Sequence, residues 1–343
     1  MKVFGLLPFV DESELRPAAT GFDADFVARM ARIYDELGYE RVLIAQSAKS
    51  PDGMTVAAHV AALTSRLKFM IAHRPGFVAP TLAARMLATI DHMSGGRAGV
   101  HIITATNDKE TQGDGDFLTK DQRYQRSREY VQLLHKSWEG GGPFDHEGDF
   151  YRLAGADSMI RPVNGSIPIF WGGSSGLGVE YGGECADVYA LAGMTLERTA
   201  RLIQEVRAAA KPHGRAPRFL MSIRIVIAED DKAAWARADD MVAQLKARTA
   251  ASVGLGSGSD ASAQKRIEEA MAARSADDPR LWGGIIEATG GRSHAMALVG
   301  GPDELAETLR AYEAIGVDDV LLRGFDNIAD AEMIGRHLIP RLA

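Results

Sequence analysis

HRPGFVAPTLAARMLATIDHMSGGRAGVHIITATND, residues 73–108, is the stretch on which the reading of the fold turns. Ahead of it, Leu67 to Ile71 is an apolar run suited to a buried strand. Thr81 to Ser94 then sets Leu82, Arg85, Met86, Thr89 and Met93 at helical spacing. Gly95-Gly96 stops that helix, and Ala98 to Ile103 opens a second strand. Polar residues therefore stand just past the C-terminal ends of two successive strands: His73 and Arg74, then Thr104 and Asn107. In a parallel α/β sheet or barrel, that is the edge where sites are built.

The same alternation runs outward in both directions. Lys2–Leu7, Arg41–Ile44, Ile167–Trp171, Ala186–Leu191, Phe219–Ile227 and Asp319–Leu322 read as further strands. Asp23–Leu37, Thr55–Leu63, Asp121–Trp138, Thr195–Ala210 and Pro302–Ile315 read as helices between them. Asp145 to Leu153 alternates aromatic or aliphatic with polar residues and suits a short hairpin beside the main sheet. Eight strand candidates, each followed by helix, favour a closed (β/α)8 TIM barrel. Ala250 to Arg292 breaks the rhythm before the last strand. It is rich in Gly, Ser and Ala, and an insertion of that length is expected to be a lid. No linker divides the chain, so 1–343 is expected to be a single domain.

Composition narrows the function. Of 343 residues 46% are hydrophobic, enough for a large core, and the net charge of −7 argues against a nucleic-acid partner, which needs a clustered basic surface. No apolar run reaches the ~20 residues of a membrane helix. Lys2 is the only basic residue of Met1–Val10, so a secretory leader is not expected and a cytoplasmic location is. The single cysteine, Cys185, excludes an internal disulfide or a thiolate metal cluster and reads as a small buried hydrophobe.

Four features are candidate chemistry. Gly172-Gly173-Ser174-Ser175 follows a strand and opens a helix, where glycine lets a phosphate approach the backbone and helix N–H groups face it. Ser222 and Arg224 share one face of an apolar strand, and a guanidinium there needs a partner or an anionic ligand. His73 and His101 lie where a barrel mouth would be, whereas no histidines show metal spacing. Asp108, Asp114 and Asp116 share a loop without the spacing of a calcium loop.

Taken in order, His73-Arg74-Pro75-Gly76, Ala79-Pro80-Thr81, Ala84-Arg85, Ala88-Thr89-Ile90-Asp91, Ser94-Gly95-Gly96-Arg97 and Ile102-Ile103-Thr104 resemble the bacterial luciferase-like flavin monooxygenases. Gly113 to Leu118, Arg123-Tyr124, Gly172 to Ser175, Ala186 to Tyr189, Leu281-Trp282 and Ala297 to Gly300 continue the likeness. It spans nearly the whole chain, and the branch most resembled is that of the alkanesulfonate monooxygenases. The resemblance implies a (β/α)8 barrel with a mobile insertion before the last strand. It also implies a homodimer or homotetramer that takes FMN, reduced by a separate NAD(P)H-dependent reductase, and uses O2 to oxidise a small organic molecule. Carried over by position, Gly173, Ser174 and Ser175 hold the FMN phosphate with Tyr124. Thr104 and His101 (where sulfonate-oxidising relatives have asparagine) lie by the flavin ring, and His73 lies near its edge.

The substrate half departs from that pattern. Ser222 and Arg224 stand where alkanesulfonate-oxidising relatives have an arginine and a histidine, and Phe325 replaces a tyrosine. Thr289 replaces a lid arginine, with Arg292 three residues on; Ser50-Pro51 lacks their cysteine, and Val10 replaces their histidine. Arg224, Arg292 and Phe325 are then the expected substrate contacts, and Arg224, His73 and Ser222 the expected catalytic groups. Two other readings share the barrel: a deazaflavin-dependent oxidoreductase and a non-catalytic flavin-binding subunit.

Overall fold

The computed structural model describes residues 1–13, 21–104, 108–174, 176–251, 267–268, 270, 278–291 and 296–343. Its strands are β1 (Lys2–Leu6), β2 (Arg41–Ile44), β3 (Lys68–His73), β4 (Val100–Ile102), β5 (Phe144–Glu147), β6 (Arg152–Ala156), β7 (Ile169–Gly172), β8 (Val188–Ala192), β9 (Arg218–Ile227), β10 (Leu281–Trp282), β11 (Ala297–Gly300) and β12 (Asp319–Arg323). β1 to β4, β7 and β8 pair in parallel in that order, and β8 pairs with β9 from Val188↔Arg218 to Ala192↔Ser222. β9 pairs with β12, and β12 with β1, so the ring closes. These eight are the strands expected from the sequence, and β5–β6 is the expected hairpin, antiparallel and apart from the barrel.

Alternation along each strand divides two environments. Phe4, Met70, Phe170, Val188, Leu220 and Leu321 fill the lumen, while their neighbours Val3, Phe69, Trp171, Tyr189 and Met221 join the core between barrel and helices. Low in the lumen Arg41 is buried between the Phe4 and Phe170 rings and donates to the Phe69 carbonyl.

Local signals set the helices. Pro80 starts the helix Pro80–Ser94, and Gly95 ends it in the left-handed region at φ 68°. The Asp91 side chain then accepts from Ala98 and Val163 N–H, and Arg97 donates to the Ser94, Leu67, Ala61 and Thr64 carbonyls. Much of the stretch quoted at the outset is thus a knot joining a helix end to the base of β4. The helix Lys120–Glu139 begins with a capping box between Thr119 and Gln122.

Two expectations are corrected. The polar run after β4 contains a short helix, Asp108–Gly113. The insertion is not irregular at its end: β10 pairs antiparallel with β11, and Leu281, Trp282, Ile285 and Ile286 are buried. β9 outruns β8, so its upper half, Arg224 to Ile227, pairs with β11 instead. There Val226, Ala297 and Val299 pack with Ala234 and Ala238 of the helix Asp231–Ala251 and with Trp282 and Ile285. Apolar pairs separated by glycine gave too short a pattern to read. Most of the stretch expected to be a lid, with Arg292, lies outside the described residues.

Candidate active site at the barrel mouth

β7 ends at Gly172, and the turn Gly173-Ser174 leads into the helix Gly176–Cys185, which has no acidic residue in its first turn. Three aromatic side chains fix this turn. Tyr189 Oη donates to the Gly173 carbonyl at 2.8 Å, and Trp171 Nε1 donates to the Gly178 carbonyl at 3.0 Å. Tyr124, buried on the helix Lys120–Glu139, brings its hydroxyl against both glycines: a β-carbon would meet it at 2.8 Å from Gly173 and 2.9 Å from Gly178. Only glycine leaves that space, so hydroxyl, backbone N–H groups and the exposed Ser174 converge on one small cradle. Ser175 lies outside the described residues.

From the cradle the wall runs into the lumen through small residues: Gly172, Ala190, Ala192 and Ser222. Ala192 and Ser222 are exposed although they sit side by side in paired strands, so the lumen is open at this height. His101 lies across from them, its Cε1 3.7 Å from where a Gly172 β-carbon would stand. Its Nδ1 is buried and has no hydrogen-bond partner among the described residues. Burial pushes the imidazole down to about 4, with the Phe170 backbone opposing only in part, so the ring is neutral near pH 7. Thr104 follows at the rim. Its carbonyl accepts from Arg123 Nε at 2.8 Å, and Arg123 also holds the Leu118 carbonyl and the Asp108 carboxylate.

His73 is placed differently from the expectation at the flavin edge. By alternation it faces the helical shell with Phe69 and Ile71, and its Nε2 lies 2.7 Å from Tyr130 Oη. Tyr130 spends its one proton on the Val78 carbonyl, so His73 is the donor in this pair. Burial depresses its pKa to about 4. Arg74, also buried, pairs with Glu110 at 2.6 Å and Asp114 at 3.4 Å. Burial works against ionisation of Glu110, but Arg74 and the Ala48 N–H outweigh it and hold the carboxyl below its usual range. A cavity of about 590 Å³ opens here between Ser47–Lys49 and the helix Asp108–Gly113, beside the mouth.

Arg224 and Phe325, expected as substrate contacts, are together. The Arg224 guanidinium lies 3.7 Å from the Phe325 ring centroid and donates to the Gly324 carbonyl at 2.9 Å. Both are buried, at the level where the lumen with Ser222 gives way to the insertion core with Val226. Sequence reasoning missed Trp171, Tyr189 and Arg123, whose work is hydrogen bonding to backbone carbonyls and leaves no spacing. It also missed Arg323, whose alternation with Asp319 and Leu321 at a strand end was a usable signal. Cys185 is buried and pushed up to about 12, as a small hydrophobe would be. Among the described residues, no cluster could hold a metal and no helix is long and apolar enough to cross a membrane.

The family model for luciferase-like monooxygenases matches residues 1–319. EDTA monooxygenase EmoA from Chelativorans sp. BNC1 is similar in structure, with a TM-score of 0.81 and 17% identity over 100% of this chain and 93% of that one. So is the oxygenating constituent of 3,6-diketocamphane monooxygenase from Pseudomonas putida in complex with FMN, with a TM-score of 0.74 and 18% identity over 100% and 99% of the two chains. The coenzyme F420 dependent tetrahydromethanopterin reductase from Methanopyrus kandleri has a TM-score of 0.73 and 20% identity, over 100% and 99%. At such identities these likenesses speak for the barrel.

Proposed function

Because the chain belongs to the luciferase-like monooxygenase family, we propose that it is the oxygenating component of a two-component system. It takes FMN reduced by a separate NAD(P)H-dependent reductase and oxidises a small organic substrate, an organosulfur compound or another anion, with O2. The observation that carries this is the cradle, where Gly173 and Gly178 press against the Tyr124 hydroxyl at the start of the helix Gly176–Cys185. The groups fit a phosphate monoester: hydroxyl donors, backbone N–H groups and a helix N-terminus without a competing acid.

Ser174 and Tyr124 would hold the FMN phosphate, Ser175 would add a second hydroxyl by position, and the small residues Gly172 and Ala190 of β7 and β8 would leave room beside them. When bound, reduced FMN supplies the two electrons that activate O2. The protein's part is to bind, orient and exclude water. His101 is neutral and offers Nδ1 to a group in the lumen without adding charge. The apolar lumen floor below it keeps water from the reacting atoms. Arg224, aligned by Phe325 and Gly324, is the anchor for an anionic substrate group. Arg292 is a further candidate contact, outside the described residues.

Similar barrels in both FMN and F420 proteins make the cofactor the point to test. Titration with FMN, reduced FMN and F420 should give saturable binding of FMN in either redox state and weak or no binding of F420. Oxygen uptake with a flavin reductase should then rise when substrate is added. Tight F420 binding without FMN binding would replace this reading with a hydride-transferring oxidoreductase. FMN binding without substrate-stimulated uptake across a broad anion panel would favour a non-catalytic flavin-binding subunit.

A further inference from the structure

Resting on the FMN reading above, we propose that Tyr189 is a positioning residue for the cofactor phosphate, its hydroxyl locking the Gly173–Ser174 peptide with the Ser174 N–H turned to the cradle. Tyr189 Oη donates to the Gly173 carbonyl at 2.8 Å. That peptide is planar and trans, so its N–H points opposite to its C=O. The carbonyl is drawn towards Tyr189, which is fully buried in the core between barrel and helices. The Ser174 N–H is therefore turned the other way, to the side on which Ser174 is exposed. It meets no acceptor among the described residues, as befits a donor kept for a ligand.

Gly173 is the reason a lock is needed. With φ at 156° and no β-carbon, it leaves either orientation of the following peptide open at little cost. A flip would set the Gly173 carbonyl against the phosphate oxygens, exchanging a charge-assisted hydrogen bond for repulsion. A phenol has one proton to give, and the second carbonyl nearby does not compete for it. Gly178 O lies 3.2 Å from Tyr189 Oη but already accepts from Trp171 Nε1 at 3.0 Å. Burial pushes the ionisation of Tyr189 up, so the hydroxyl keeps that proton. Both rings lie directly under the helix Gly176–Cys185, where a β-carbon at Gly182 would stand 2.3 Å from Tyr189 Cε2 and 2.7 Å from Trp171 Cδ1. The hydroxyl thus reaches the turn from a ring already fixed by packing, and a donor ordered in advance loses little freedom when the ligand binds. What the lock selects is a phosphate monoester, the one feature that separates FMN from riboflavin.

The test reads the phosphate's share of binding, so it does not depend on turnover. FMN and riboflavin are titrated by fluorescence into the full chain of the parent and of Tyr189→Phe, which keeps the ring and removes the hydroxyl. FMN affinity should fall about tenfold in the variant while riboflavin binds as in the parent, so the ratio of the two affinities falls about tenfold. A residue that only supported the fold would weaken both flavins alike. In the parent, the Ser174 amide proton, read by NMR and assigned by its loss in Ser174→Ala, should move downfield with FMN and stay in place with riboflavin. That measurement carries the test if Tyr189→Phe does not fold. The lock is overturned if the variant keeps the parent's FMN-to-riboflavin ratio, or if the Ser174 amide is indifferent to FMN. Failure of the parent to bind FMN would sink the flavin reading and the lock with it, whereas FMN binding with an unchanged ratio sinks the lock alone.

Discussion

A methyl group on Gly173 would stand 2.8 Å from the Tyr124 hydroxyl and 3.1 Å from the Gly178 Cα, and the second contact is backbone that cannot swing aside. Gly173→Ala must therefore open the cradle. We expect FMN affinity to fall at least about tenfold, about 1.4 kcal/mol, by fluorescence titration; unchanged affinity would remove the cradle from the phosphate site. Ser174→Asp should do the same by charge, setting a carboxylate where a phosphate binds. His73 and His101 make a different prediction. Each falls from an ordinary 6.5 to about 4 in the fold because burial disfavours the cation. The unfolded chain binds those protons first, so the stability they contribute is complete above about pH 6.5 and is lost as pH falls towards 4. The slope should approach 1.4 kcal/mol per pH unit for each histidine, on the order of two protons in all. Chemical denaturation at several pH values checks this, and His101→Asn should remove about half of the slope. A flat profile between pH 6.5 and 4.5 would show that neither ring is held neutral.

Among elements, an ion pair ties the helix Asp231–Ala251 to the helix Asn327–Met333 that follows β12. Arg237 meets Asp330 at 2.5 and 3.0 Å and also holds the Ile227 carbonyl, while Asp330 accepts from Phe325 and Asp326 N–H. Asp330 is buried but Arg237 is 30% exposed at its side chain, so solvent screens part of the attraction. Arg237→Met should cost about 2 kcal/mol, less than the 3–5 typical of a fully buried pair. It should also loosen Arg224, since Asp330 sets the Phe325 loop. Weaker anion binding with unchanged FMN binding is the expected pattern. Equal losses of both would mean that the insertion core supports the whole mouth.

At the scale of the molecule, the lumen and the cradle are linked to folding by mass action. A ligand that binds only the native barrel at one hundred times its dissociation constant adds about 2.7 kcal/mol to the free energy of unfolding. FMN at that excess should raise the thermal midpoint of the parent. At the same concentration a Gly173→Ala variant that binds tenfold more weakly sits at about ten times its dissociation constant and should gain only about 1.4 kcal/mol, roughly half as much. Equal stabilisation of both would place FMN elsewhere.

Periodicity made eight strands legible, because strands buried on both faces are continuous apolar runs and helices between them repeat at 3.6 residues. With them came the mouth and the stations of Gly173, Ser174, His101, Ser222 and Arg224, since a barrel assigns its strand ends to one rim. β10 and β11 were hidden, being two and four residues long and meaningful only as partners of each other and of the upper half of β9. The direction of His73 was hidden too, because one residue of strand register separates lumen from helical shell and only Tyr130 shows which. Tyr189, Trp171 and Arg123 act on backbone carbonyls, which no one-dimensional pattern marks. Arg323 and Arg224, 99 residues apart in the chain, became neighbours only when β12 closed the ring against β9. Sequence determined the elements, whose signals are local; tertiary structure decided which side chains meet, because that depends on register and closure.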